Sequence, residues 1–218
     1  MLSQDEMERL TSAISGVGGE GGVRTRGGVY AIRNLLRLSP EVRELAWTDQ
    51  VRSMAGATLG SGAWPVRAIL FDKTPGANWL VPWHQDLTIC VRAKLDLPGY
   101  GPWTRKAGVW HVQPPVAVLE GMLSVRLHLD HCGASNGALR VLPGTHKLGR
   151  LSGWQIAEQQ RLVTAVRCDA DAGDALLMRP LLVHASSPAA EAGHRRVVHI
   201  DYACSRLEGG LEWAVEAD

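Results

Sequence analysis

The sequence predicts an α+β protein, mainly β, with an antiparallel sandwich or jelly roll as its core and helices flanking it on the N-terminal side. Three observations carry that reading. Helical spacing dominates about the first sixty residues. From Trp64 onward, apolar runs with strand character recur between Pro, Gly and Asn punctuation. No internal repeat or second domain is visible, and 218 residues suit one domain with a substantial core. The expected organisation is therefore a single domain over 1–218, with a helical region at 1–60 and the β core at 61–205.

Taken in order, residues 3–14 have helical spacing, with Ser3 as N-cap and Glu6 three residues on, a capping-box pattern. Residues 16–28 are Gly-rich. No strand precedes Gly16-Val17-Gly18-Gly19 as a dinucleotide fold requires, so a flexible loop is the expectation there. Residues 29–38 read as a short strand and turn. Ser39-Pro40-Glu41 starts a helix with Pro at its first position, and one or two helices run to about Leu59. Strand-like runs follow at 66–71, 79–83 and 87–91. Residues 96–115 read as a long loop rich in Gly, Pro and Trp, of a length typical of lids and binding loops.

Residues 123–129 alternate. Val125, Leu127 and Leu129 share one face, while Ser124, Arg126, His128 and Asp130 share the other. A short strand at 138–142 ends in the turn Pro143-Gly144-Thr145-His146. A helical turn is expected at 155–160, then strands at 162–167, 175–178, 181–185 and 195–203.

Bulk properties exclude several classes. The formal net charge is +1, which gives no electrostatic pull toward nucleic acid or a membrane surface. The N-terminus lacks the basic and apolar regions of a signal peptide, and no run is long enough to cross a bilayer. The four cysteines are far apart and form no Cys-x-x-Cys, which points to reduced thiols in a cytoplasmic protein and away from a zinc ribbon or disulfide scaffold. Eight Trp against one Phe is compatible with a lined cavity or with core packing.

The chemistry gathers at residues 78–91. His84 and Asp86 are two apart, so on a strand both point to one face, among Trp79, Leu80, Val81, Leu87, Ile89 and Val91. His184 stands at the end of a second apolar strand, and Arg195 opens a third. Each alone has a bland explanation. Together, one carboxylate and two imidazoles on strand ends of a β core match the facial triad of non-haem iron(II) oxygenases. Such a set holds Fe(II) without saturating it and leaves one face for a chelating co-substrate and O2. The planar fork of Arg suits the far end of a dicarboxylate.

Over residues 60–205 the sequence resembles the phytanoyl-CoA dioxygenase family of Fe(II)/2-oxoglutarate-dependent oxygenases. The likeness rests on Trp83-His84-Gln85-Asp86, on the stretch from Asn136-Gly137 to Pro143-Gly144-Thr145-His146, on His184-Ala185-Ser186 and on Arg195, with Gly173-Asp174 before the distal strand. The resemblance implies a double-stranded β-helix, cupin-like core. It implies iron on His84, Asp86 and His184, which are then the catalytic residues, with 2-oxoglutarate and O2 as co-substrates. Arg195 would pair with the distal carboxylate of 2-oxoglutarate, with Ser186 beside it. Arg126 falls where the family places another co-substrate contact, and Ile69 on a strand that walls it.

The implied reaction is hydroxylation of a C–H bond of a small molecule, with 2-oxoglutarate decarboxylated to succinate and CO2. The retained Asp86 favours this over halogenation, for which family members leave the carboxylate position open. Desaturation, epimerisation or cyclisation on the same centre, and a non-catalytic cupin-like binding protein, are the alternatives. A hydrolase lacks support, since no Gly-x-Ser-x-Gly elbow is present.

Around this set, Lys73 and Asn78 are placed to reach co-substrate or substrate, with a turn role the competing reading for Asn78. Thr145 and His146 are expected to shape the barrel mouth, and His199 to make a core hydrogen bond. His128 and His131 are open between cavity and solvent. Trp79, Trp83, Trp103 and Trp110 either line a substrate pocket or pack the core.

Overall fold

The computed structural model describes residues 1–18, 22–25, 29–190 and 193–215. Helix α1 (Gln4–Ser15) begins on the expected capping box: Ser3 Oγ accepts from the Glu6 amide while Glu6 reaches back to the Ser3 amide at 2.7 Å. Part of the Gly-rich stretch lies outside the described residues. The part that is described carries a short strand, β1 (Val23–Thr25), where only a loop was expected, paired with β2 (Val29–Ile32). A single helical turn, α2 (Leu35–Leu38), replaces the expected turn. Then α3 (Pro40–Trp47) starts with Pro after the Ser39 cap, and α4 (Asp49–Leu59) follows with Thr48 as its cap.

Next come β3 (Trp64–Lys73), β4 (Val81–His84) and β5 (Ile89–Val91). The expected loop at 96–115 is in fact built around a hairpin, β6 (Trp103–Lys106) and β7 (Val109–Val112), which pairs with β5 as a small third sheet. Its tight turn uses Ala107 and Gly108 at positive φ, a backbone state that the Gly supplies and that the Trp and Pro content of the stretch obscured. Helix α5 (Val116–Glu120), β8 (Met122–His128) and β9 (Leu139–Val141) come next, then a 3-10 turn at Thr145–Leu148. Helix α6 (Gly153–Leu162) takes in the residue where a strand was expected to start. Only β10 (Val166–Cys168) is extended there, because a Ser152–Gln155 capping box starts a longer helix than the apolar pattern indicated. Strands β11 (Ala175–Met178), β12 (His184–Ser186) and β13 (Arg195–Ala203) complete the core.

Every strand pairing is antiparallel. The larger sheet has the order β1-β2-β3-β13-β8-β11 and the smaller β10-β9-β12-β4, as expected of a jelly-roll core. The outer face of the large sheet is apolar (Ala68, Leu70, Val125, Leu127, Val198, Ile200), and the N-terminal helices cover it with Leu10, Ile14, Leu35, Val42 and Val51. Tyr202 is fully buried there and donates to Ala46 O at 2.6 Å, tying β13 to α3. With one face sealed by helices, the inner face of the large sheet is free to carry polar groups. Ser124, Arg126, His128, Arg195, His199 and Asp201 all sit on it and are all buried. The alternation expected along β8 holds, but both of its faces are interior. No helix among the described residues is long and apolar enough to cross a membrane.

Candidate metal centre and its cavity

His84 and His184 face each other directly across the β4–β12 pair, so strand register sets the two imidazoles side by side, ring centroids 4.2 Å apart. Each ring donates Nδ1–H to the carbonyl two residues back, His84 to Pro82 O at 2.8 Å and His184 to Leu182 O at 2.9 Å. That fixes the tautomer and leaves both Nε2 lone pairs aimed inward. Asp86 meets them there. One carboxylate oxygen lies 3.7 Å from His84 Nε2 and the other 3.6 Å from His184 Nε2, too far for hydrogen bonds. The three donor atoms all lie within 4.8 Å of one another.

Electrostatics agree with this geometry. Burial, partly opposed by Asp86, pulls the His184 imidazole down to about 4, so it is a neutral donor. Burial works against ionisation of Asp86, yet His184 and His84, helped by His199 and Arg67, hold it well below the usual carboxylate range. His84 is likewise disfavoured by burial but raised on balance by Asp86 beside it. An ionised carboxylate and two inward lone pairs that do not hydrogen-bond one another are what a bound cation needs. One oxygen and two nitrogen donors, with no thiolate, suit iron(II).

Gln85, between the two ligands, points the other way. Its amide donates to Gly149 O (2.8 Å) and Leu181 O (2.7 Å) and accepts from Leu151 N (2.8 Å). Asp86 is placed by its own amide, which donates to Pro180 O at 2.9 Å. Thr145 Oγ1 donates to Leu142 O at 2.7 Å and accepts from Val183 N at 3.0 Å, so it shapes the entry to His184 as expected. His146 is elsewhere, in a separate cleft with Lys147 and Arg179.

The triad opens into a cavity of about 250 Å³ between the two sheets, also lined by Arg67, Ile69, Phe71, Trp79, Val81, Arg126, Leu139, Ser186, Arg195 and His199. All six expected site residues therefore share one cavity. Arg195 Nη1 donates to Gly137 O at 2.6 Å, and Ser186 Oγ donates to the same carbonyl at 2.8 Å. Gly137 has φ +75°, and a Cβ there would collide with Ser187 O, so the Gly of Asn136-Gly137 is a backbone requirement of this corner. Lys73 is buried, donates to Ser186 Oγ at 2.8 Å and to Ser187 O, and joins the same corner. Arg196 points outward into a two-pronged pair with Asp130 (2.8 and 2.6 Å).

Other expectations divide. Asn78 clamps the loop at Ala189 through its side chain (2.7 and 2.6 Å), the turn role. Trp79 lines the cavity, whereas Trp83 stacks with Arg140, and Trp103 and Trp110 pack against the third sheet's own cluster. His128 is interior, and His131 is exposed beside Asp171.

His199 makes its core hydrogen bond within a larger network that sequence reasoning missed. Asp201 accepts from Arg67 Nε (2.6 Å), Ser124 Oγ (2.6 Å) and His199 Nε2 (2.9 Å), and His199 Nδ1 accepts from Arg126 (2.9 Å). The available signal was the even spacing of Arg195, His199 and Asp201, which puts all three on one strand face.

Fold and centre together define the class: a non-haem iron(II), 2-oxoglutarate-dependent oxygenase of jelly-roll architecture. The family model described as phytanoyl-CoA dioxygenase matches residues 4–197, and the chain belongs to that family. No curated protein matches it in sequence. Among solved structures it is similar to EctD from S. alaskensis, crystallised with 2-oxoglutarate and 5-hydroxyectoine (19% identity, 95% of this chain and 72% of that one, TM-score 0.73). It is also similar to the non-haem α-ketoglutarate-dependent carbocyclase SnoK from nogalamycin biosynthesis (17%, 93% and 76%, TM-score 0.69). A third is the epimerase SnoN from the same biosynthesis (18%, 93% and 73%, TM-score 0.68). At these identities the likeness speaks to fold.

Proposed function

We propose that this chain is a single catalytic domain that hydroxylates a C–H bond of a small molecule. Substrate, O2 and 2-oxoglutarate would become hydroxylated product, succinate and CO2. The observation that carries this reading is one cavity shared by two imidazoles, one ionised carboxylate and, at its far wall, the Arg195–Ser186–Lys73 corner. His84, Asp86 and His184 would hold iron(II), which when bound supplies the activation of O2 that no side chain can provide.

The chain's own residues do the rest. Arg195, with Ser186 and Lys73, receives the distal carboxylate of 2-oxoglutarate and fixes the chelating end toward the triad. Arg126, which lines the same cavity and is acted on by both Arg195 and Asp86, would face the co-substrate. Ile69, Val81 and Leu139 keep the space between them apolar and dry.

Purified without oxygen, the protein is expected to bind about one Fe(II) per chain and to develop a weak metal-to-ligand absorption on adding 2-oxoglutarate. His84→Ala or Asp86→Ala should abolish both. A folded wild type without the band would sink the assignment. A second reading, cyclisation or epimerisation on the same centre, draws on the shared fold of SnoK and SnoN. Product analysis separates it, since only hydroxylation leaves an oxygen atom from O2 in the product. A failure to detect either oxygen consumption or succinate release with any substrate would favour a binding protein.

A further inference from the structure

We infer that the substrate of this centre carries a compact oxyanion, a carboxylate or phosphate, and that Arg67 is the residue that anchors it. The inference rests on the iron and 2-oxoglutarate reading above and adds the substrate class to it. Alternate residues of β3 put Arg67, Ile69, Phe71 and Lys73 on one face, toward the cavity. The facing strand β13 sets Arg195 beside Lys73 and Asp201 beside Arg67. Cationic groups thus stand at both ends of a single strand pair, six positions or about 20 Å of backbone apart. The Lys73–Arg195 end forms the corner assigned to 2-oxoglutarate. The Arg67 end has no such assignment.

That second end is built rather than incidental. Asp201 grips Arg67 Nε at 2.6 Å, and Arg67 Nη1 donates to Thr88 O at 3.2 Å, so the guanidinium is held in one orientation. Ser124 and His199 hold Asp201 in turn. The Arg67 side chain keeps 13% exposure against 2% for Asp201, so the cation, not its partner, faces the open cavity. Burying such a set is costly, and a merely structural pair is commonly replaceable by apolar packing.

Charge balance points the same way. Among the described residues, and leaving histidines aside, the charged side chains lining the cavity are Arg67, Arg126, Arg195 and Asp86, with Asp201 bound to Arg67 and Lys73 bound to the lining Ser186. Iron(II) and the 2-oxoglutarate dianion cancel one another, so the loaded cavity still has an excess of positive charge. A neutral substrate would leave it uncompensated in a low-dielectric site, whereas an oxyanion on the planar fork of Arg67 compensates it in bidentate geometry.

The test uses the anaerobic complex with Fe(II) and 2-oxoglutarate, titrated with matched probes: phenylacetate, phenyl phosphate and the neutral phenylacetamide. Perturbation of the absorption band and ligand-observed NMR report binding. At least one oxyanion should bind about tenfold or more tightly than the amide, and the carboxylate and phosphate arms tell which anion is preferred. Arg67→Gln should erase that preference. If the single variant fails to fold because Asp201 is left unpaired, the double variant Arg67→Gln/Asp201→Asn removes both charges and answers the same question. Oxyanions that bind no better than the amide, or a preference that survives in either variant, overturn the inference while the band itself persists. Loss of the band in the wild type overturns the underlying reading and this inference with it.

Discussion

Lys73 is the residue whose chemistry is most altered by its place in the fold. Burial, reinforced by Arg195 beside it, lowers its ammonium from 10.5 to about 8. A carboxylate arriving at the Arg195 corner prefers the charged form. Affinity for 2-oxoglutarate should therefore be greatest below about pH 8 and decline above it, as free Lys73 loses its proton. Dissociation constants measured between about pH 6.5 and 9.5 check this. Lys73→Met should bind more weakly and lose the decline, and a wild-type profile flat across pH 8 would contradict the role. The sign for folding is opposite. Between about 8 and 10.5 the unfolded chain holds the extra proton, so this group's contribution to stability rises with pH through that window. Sequence alone put Lys73 near the site by position only. Its depressed affinity for protons depends on burial against Ser186, a residue 113 positions away.

At the level of elements, β4 owes its position to Gln85. The metal ligands on either side look inward, and Gln85 looks outward and staples the strand to two loops with three hydrogen bonds. Gln85→Ala leaves buried backbone groups unpaired and should cost about 3 kcal/mol, with iron affinity falling as His84 and Asp86 lose their fixed spacing. Thermal unfolding together with iron titration measures both. Gln85→Glu keeps the acceptor for Leu151 N but sets a carboxylate oxygen against the Gly149 and Leu181 carbonyls, and should cost at least as much.

The same stretch shows what the sequence could and could not disclose. His84, Asp86 and His184 were legible because alternation on a strand is local, and strand patterning placed them on ends of β runs. Gln85 belonged to the recognisable motif, but its function is non-local: its partners are 64, 66 and 96 residues distant. The hairpin β6–β7 was lost for a different reason. Its Trp-rich, Pro-flanked sequence resembles a binding loop, and only pairing with β5 makes it a sheet. The Arg67–Asp201 pair escaped because an Arg on a strand is ordinarily solvated, and here only the helical cover on the sheet's other face turns that strand inward.

At the scale of the whole molecule, the core is two sheets closed over a polar seam. The triad stands on the small sheet and Arg195 on the large one. At the Arg195 end the seam is held by Lys73, which donates to Ser186 and Ser187, and by Arg195 and Ser186, which share the Gly137 carbonyl. A 2-oxoglutarate anchored at Arg195 and chelating a metal on His84, Asp86 and His184 would tie one sheet to the other, so its binding energy becomes stability of the entire fold. At about a hundredfold excess over its dissociation constant the gain is about 2.7 kcal/mol, equivalent to a rise of about 5–10 °C for a chain of this size. The rise should require iron(II), since the chelating end has no other partner on the small sheet. Arg195→Ala should abolish the 2-oxoglutarate-dependent part while leaving the part due to metal alone. Arg196→Ala, which breaks only the outward pair with Asp130, should lower the starting point and leave the 2-oxoglutarate increment intact. Equal loss in both variants would mean that the two sheets respond to general destabilisation of β13 rather than to a ligand that bridges them.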